Sequence, residues 1–205
     1  MCKPAKRLSA LVLGAAGAIS AATPSLAVPI TYTEQATATG SLGGVNFTDA
    51  SVLLTMSNDT TNVTGGSTLF ENLGIATVNV NGGIPVTFTD PLIEVFSAQV
   101  PSPPGFPATV GFADVTRMLD ILDAASISFA TYDLKTSIGP ISGNPAPTSF
   151  NEAFSTTGGD FILTSVSGGT STFAATSTAA PEPASIVLLG VALVGLGVIR
   201  RRKTS

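Results

Sequence analysis

Histidine and tryptophan are absent from this chain, and cysteine occurs once, at Cys2. Without histidine the chain lacks the side chain that titrates unperturbed near neutrality, which removes Ser-His-acid and Cys-His nucleophile systems and the imidazole zinc sites. A single cysteine closes no internal disulfide, so burial must hold the fold. Positive charge is also scarce. Between Val28 and Thr178 the bases are Arg117 and Lys135, and two bases against twelve acids leave a net charge of −10. Nucleic acid and anionic lipid surfaces are therefore poor partners for this stretch. A serine–lysine dyad would have to use Lys135, but Tyr132 stands where a serine three residues earlier is needed. The pairs Gly43-Gly44, Gly65-Gly66 and Gly82-Gly83 lack the downstream Lys-Ser/Thr of a phosphate-cradling loop. The enzyme chemistry left open is a carboxylate pair, Asp120 with Asp123 or Glu94 with an acid on another strand, as in glycoside hydrolysis. With Tyr32 and Tyr132 as the only tyrosines, an aromatic sugar-stacking platform is disfavoured. No enzymatic activity is expected.

The remaining bases lie at the two ends of the chain. Lys3, Lys6 and Arg7 precede a small, apolar stretch from Leu8 to Ala22, and Ser25-Leu26-Ala27 offers the small residues that signal peptidase reads. Residues 1–27 are thus expected to be a signal peptide, cut between Ala27 and Val28. Cys2 lies ahead of the apolar stretch and should leave with it. At the other end, Pro181-Glu182-Pro183 is followed by an uninterrupted 16-residue run from Ala184 to Ile199 and then by Arg200, Arg201, Arg202 and Lys203. As a helix that run would rise roughly 24 Å, a marginal span of a hydrocarbon layer roughly 30 Å thick. The cationic cluster should stay on the cytoplasmic side, leaving Pro181 to Pro183 outside as an extended peptide. A simple C-terminal anchor is the plainer alternative.

Proline–glutamate–proline, apolar run and basic end together resemble the PEP-CTERM sorting signal of Gram-negative bacteria. The resemblance covers about an eighth of the chain, residues 179–205. It implies export, transient inner-membrane anchoring, cleavage near Pro181, Glu182 and Pro183 by the membrane transpeptidase exosortase, and delivery to the cell surface or an exopolysaccharide matrix. Signal peptidase and exosortase are the implied processing partners, with exopolysaccharide or other surface proteins beyond them.

Residues 28–178 are enough for one Thr-rich domain, and their hydrophobic pattern has period two. Ile30 and Tyr32, Ala36 and Ala38, then Val52, Leu54 and Met56 alternate with polar neighbours. Ala76, Val78 and Val80 run into Asn81-Gly82-Gly83 and out through Ile84, Val86 and Phe88, a hairpin whose second strand Pro85 relegates to an edge or bulge. Further strands are expected at Ile127 to Phe129, at Phe161 to Leu163 and at Thr172-Phe173, the last two separated by Ser167-Gly168-Gly169. The pattern predicts an all-β antiparallel sandwich. One short helix is expected around 115–123, capped by Asp114, because Val115, Met118, Leu119 and Leu122 fall at helical spacing. Pro101 to Pro107 reads as a polyproline-like connector.

Cofactors are not expected. A structural calcium was weighed at Asn58, Asp59 and Asn62, or at Asp90 beside Asn79 and Asn81, but no EF-hand spacing is present and Asx turns account for these residues more economically. The expected function is an exported surface or matrix protein with a structural or adhesive role. The alternative is a calcium-assisted exopolysaccharide-binding module.

Overall fold

Alternation of apolar and hydroxyl side chains commits this chain to half-buried strands. The computed structural model describes residues 27–90, 92–99, 107–147 and 149–178. The strands are β1 (Pro29–Leu42), β2 (Val45–Asp59), β3 (Thr64–Gly66), β4 (Leu69–Leu73), β5 (Ala76–Val80), β6 (Val86–Thr87), β7 (Ile93–Ala98), β8 (Thr109–Asp114), β9 (Leu119–Ala125), β10 (Ile138–Gly143), β11 (Ala153–Thr156) and β12 (Gly159–Ser177). The first sheet has the order β10-β12-β1-β2-β5-β6, with β11 also on β12, and the second has the order β3-β4-β7-β8-β9. All pairings are antiparallel. The two sheets pack as a sandwich, in agreement with the period-two pattern. The expected signal peptide up to Leu26, the sorting segment with its apolar run, and Pro101 to Phe106 of the connector lie outside the described residues.

The first sheet is built on β1, which faces its even-numbered residues inward and Thr31, Thr33, Thr37 and Thr39 outward. Tyr32, Leu54, Phe173 and Phe161 meet Val110, Phe112 and Leu122 of the second sheet in one core. Phe173 is its aromatic hub, edge-on to Phe129 at 5.9 Å and to Tyr132 at 6.0 Å between centroids.

Edges are closely managed. The Asn81-Gly82 turn takes up positive φ at both residues, and β6 beyond Pro85 is two residues long, as proline at a sheet edge requires. That edge is then joined to β11: Thr89 N–H donates to Ser155 O at 2.9 Å and Thr157 N–H to Thr87 O at 2.8 Å, around a bridge between Phe88 and Thr156. On the other flank, Ala125 and Asn144 exchange backbone bonds of 2.9 and 3.1 Å, stitching β9 of the second sheet to the end of β10. Among the described residues the outermost strand without such a link is β3, three residues long and two of them glycine. Short or covered edges of this kind offer little template for strand addition.

Three local expectations are corrected. The helix around 115–123 is absent: Val115 to Met118 form a turn and Leu119 onward is β9, paired with β8. Asp114 does accept the N–H of Arg117 at 3.1 Å, but Met118 has φ +53°, which ends any right-handed turn, and Val115 and Met118 face solvent. A bulge at Ile121 then lets Ile121 and Leu122 both point into the core. Ile127 to Phe129 is a single 3-10 turn capped by Ser126, with Phe129 buried and Ile127 exposed. Ser167-Gly168-Gly169 does not separate two strands. β12 runs through it, and the left-handed Gly168 and Gly169 form a bulge between the pairs Ala36–Ser171 and Thr37–Ser167.

Candidate functional site: a mixed-charge cavity and a set of buried acids

Five segments converge on a cavity of about 460 Å³. Phe88, Thr89 and Asp90 come from the chain after β6, Ile93 from β7, Asp114 from the end of β8, Arg117 from the β8–β9 turn, and Ala153 to Ser155 from β11. Arg117 organises its wall. Its Nη1 donates to Ala153 O at 2.7 Å, its Nη2 pairs with Glu152 Oε2 at 2.5 Å, and its guanidinium carbon lies 4.9 Å from the centre of the Phe154 ring. Asp90 accepts the N–H of Leu92 at 2.9 Å, as Asp114 accepts that of Arg117. Ser155 Oγ donates to Asp160 Oδ1 at 3.2 Å, and Thr89 Oγ1 donates to Ser155 O at 3.1 Å. The charged groups are thus held by bonds within the chain.

The second group of acids is internal. Glu34 occupies an inward position of β1 between Tyr32 and Ala36, opposite Leu54 on β2 and Phe173 on β12. It is fully buried, and neither carboxyl oxygen has a hydrogen-bond partner among the described residues. Burial, with Asp123 next in weight, pushes its pKa well above the ordinary value, an effect that the Ser171 hydroxyl partly offsets. That hydroxyl donates to Asp123 O. Asp123 is itself buried and accepts the N–H of Ala146; burial moves its pKa up to about 6. Gly111 makes room for it, since a β-carbon there would stand 2.7 Å from its Cα and Cβ. Burial also raises Asp120, and it lifts Glu94 on β7 to about 7, with Glu71 and Asp120 adding to the effect.

The candidate carboxylates are not arranged on a helix. Asp120 and Asp123 stand on either side of the bulged Ile121, not on successive helical turns. Glu34, the most perturbed acid, was missed. Its only signal was a gap in the alternation Ile30, Tyr32, Ala36, Ala38, where period two demands an inward residue at 34. Sealed in the core, it cannot touch an external substrate.

The calcium candidates resolve into turn chemistry. Asp59 caps the turn Thr60–Asn62 by accepting from Thr61 N and Oγ1, both at 2.7 Å, while Asn58 Oδ1 accepts from Asp59 N and Asn62 Nδ2, both at 2.8 Å. Asn79 donates to Gly83 O and Asn81 accepts from Ser51 N at 2.9 Å, whereas Asp90 lines the cavity. Among the described residues no three acidic side chains converge to hold an ion.

Of the processing residues, Ala27 and Val28 lie just before β1, with Val28 O accepting from Thr60 N at 3.0 Å. Pro181, Glu182, Pro183, Arg200, Arg201 and Arg202 lie outside the described residues. No curated protein and no solved structure matches the chain. The family model described as the PEP-CTERM protein-sorting motif matches residues 179–203, the stretch that contains all six. The chain thus carries a PEP-CTERM sorting signal and is an exported protein targeted to an exosortase.

Proposed function

We propose that residues 28–178 form a non-enzymatic module with a structural or adhesive role, displayed on the surface of a Gram-negative bacterium or released into its extracellular matrix. The observation that carries this reading is the separation of chemistry from solvent. The acids whose pKa values approach neutrality, Glu94 and Asp123, are buried with Glu34, while the outer face of the first sheet presents hydroxyls of Thr31, Ser57, Thr172 and Ser142 bonded to one another in cross-strand pairs of 2.9 Å. General acid–base catalysis needs a tuned group within hydrogen-bond reach of substrate. A hydroxylated, edge-protected sandwich suits contact with hydrated polymers.

Function on this reading depends on placement. Deleting Pro181 to Ser205 while keeping the signal peptide should abolish any aggregation or matrix phenotype, although the secreted domain retains its β circular dichroism. Substituting Asp120 or Asp123 by Asn should leave that phenotype intact. Loss of the phenotype in the Asn variants, with surface delivery unchanged, would reveal a carboxylate-based site and defeat the structural reading.

A further inference from the structure

We propose that the cavity bounded by Asp90, Asp114, Arg117 and Phe154 binds a neutral polyhydroxylated chain, a polysaccharide segment presenting vicinal diols. This deepens the adhesive reading and rests on it. The cavity volume, about 460 Å³, falls within the range of roughly 300–1,000 Å³ typical of small-molecule sites. Its polar groups are of both kinds and are fixed in place. Asp90 commits Oδ1 to a backbone N–H and carries a second acceptor oxygen, buried Asp114 fixes the Arg117 turn by accepting its N–H, and Arg117 is held on three sides by Ala153, Glu152 and the Phe154 ring. A hydroxyl both donates and accepts, so a diol satisfies carboxylate and guanidinium together. A carboxylate ligand offers only acceptors and an ammonium only donors.

The lining also carries apolar side chains, Phe88, Ile93 and Phe154, beside these polar groups. With Asp90 and Asp114 in its lining and the one guanidinium already paired with Glu152, a cavity in a domain of net charge −10 repels polyanions, which favours a neutral glycan captured without calcium.

Affinity electrophoresis of the processed, exported protein tests this, in native gels containing dextran, a β-1,3-glucan or galactomannan, with polygalacturonate and chitosan as charged counterparts. At least one neutral polymer should retard the protein, equally with and without EDTA. Arg117→Met and Ala153→Glu should each weaken that retardation about tenfold in apparent affinity. Ala153 lines the cavity with a small, exposed side chain, so the circular dichroism and melting temperature of Ala153→Glu should match the wild type and separate lost binding from lost folding. The proposal is overturned if no neutral polymer retards the protein, if only a charged polymer does, or if retardation persists in both variants. Its failure leaves the deletion of Pro181 to Ser205 as an independent test: a tail-dependent matrix phenotype without glycan retardation would preserve the structural role and remove this site.

Discussion

Two groups of acids in this domain share a residue type and differ in everything else. At the cavity, Asp90, Asp114 and Glu152 have backbone N–H groups or Arg117 as partners. In the core, Glu34 is fully buried, with the Ser171 hydroxyl, itself committed to Asp123 O, as its one polar support among the described residues, and it faces the influence of Asp123. The contrast teaches that position in the strand period, and not residue type, makes Glu34 an interior acid while Asp90 and Glu152 stay in reach of solvent. It also locates the strain of a domain with twelve acids and two bases: Arg117 serves the cavity, and the interior depends on protons.

The strongest way to break the comparison is to remove the interior acid. Glu34→Met replaces a fully buried carboxyl with an apolar side chain of similar length and should stabilise the domain by about 1–3 kcal/mol at pH 8, the cost of burying a poorly satisfied polar group. The gain should shrink at pH 4, where Glu34 is protonated in both folded and unfolded chains. Equal stability of variant and parent in urea titrations at pH 8 would mean that the carboxyl has found compensation.

A second, smaller effect follows from the sign of the shifts. The folded pKa values of Glu34, Glu94 and Asp123 are all raised, so the folded state holds protons that the unfolded chain has released. Their stabilisation is complete below about pH 4 and is lost as pH rises through about 6 for Asp123 and about 7 for Glu94. Each extra proton retained gives a slope of about 1.4 kcal/mol per pH unit within that window. Melting temperatures should therefore be higher at pH 5 than at pH 8, and a flat or opposite profile would contradict the burial of these groups.

The smallest effect belongs to the rim. A double-mutant cycle on Arg117 and Glu152, half-exposed partners, should give a coupling of about 0.2–1 kcal/mol that fades in high salt. A coupling several times larger would place this pair in the same class as the interior acids.

Much of the fold was legible because its signals are local. The Asn81-Gly82-Gly83 turn, the Pro85 edge and the inward set Val52, Leu54 and Met56 needed only neighbouring residues to be read. Helical spacing at Val115, Met118, Leu119 and Leu122 misled because four positions of a turn, a bulge and a strand coincide with it, and the left-handed Met118 leaves no mark in composition. Gly168-Gly169 resembled a chain reversal because glycine permits a bulge as readily as a turn. Glu34 was passed over by assuming that a glutamate must face water. The cavity was beyond reach, since residues between Phe88 and Ser155 meet there only through long-range pairing, and no short motif connects them.

The pairing of Ile30 with Ser177, closed by the bond from Thr178 N to Pro29 O at 3.0 Å, has a consequence for the order of events during export. β1, first to reach the far side of the membrane, lies between β2 and the last strand to arrive, β12. One long flank of β1 therefore stays without its hydrogen-bonding neighbour until residues 159–177 have passed through. Closure across such a separation is slow compared with hairpin formation. The Pro181-Glu182-Pro183 segment follows only four residues behind Ser177, so β12 becomes available for pairing at nearly the moment the exosortase substrate emerges. The first and last residues of the sandwich, Pro29 and Thr178, therefore leave it at one corner.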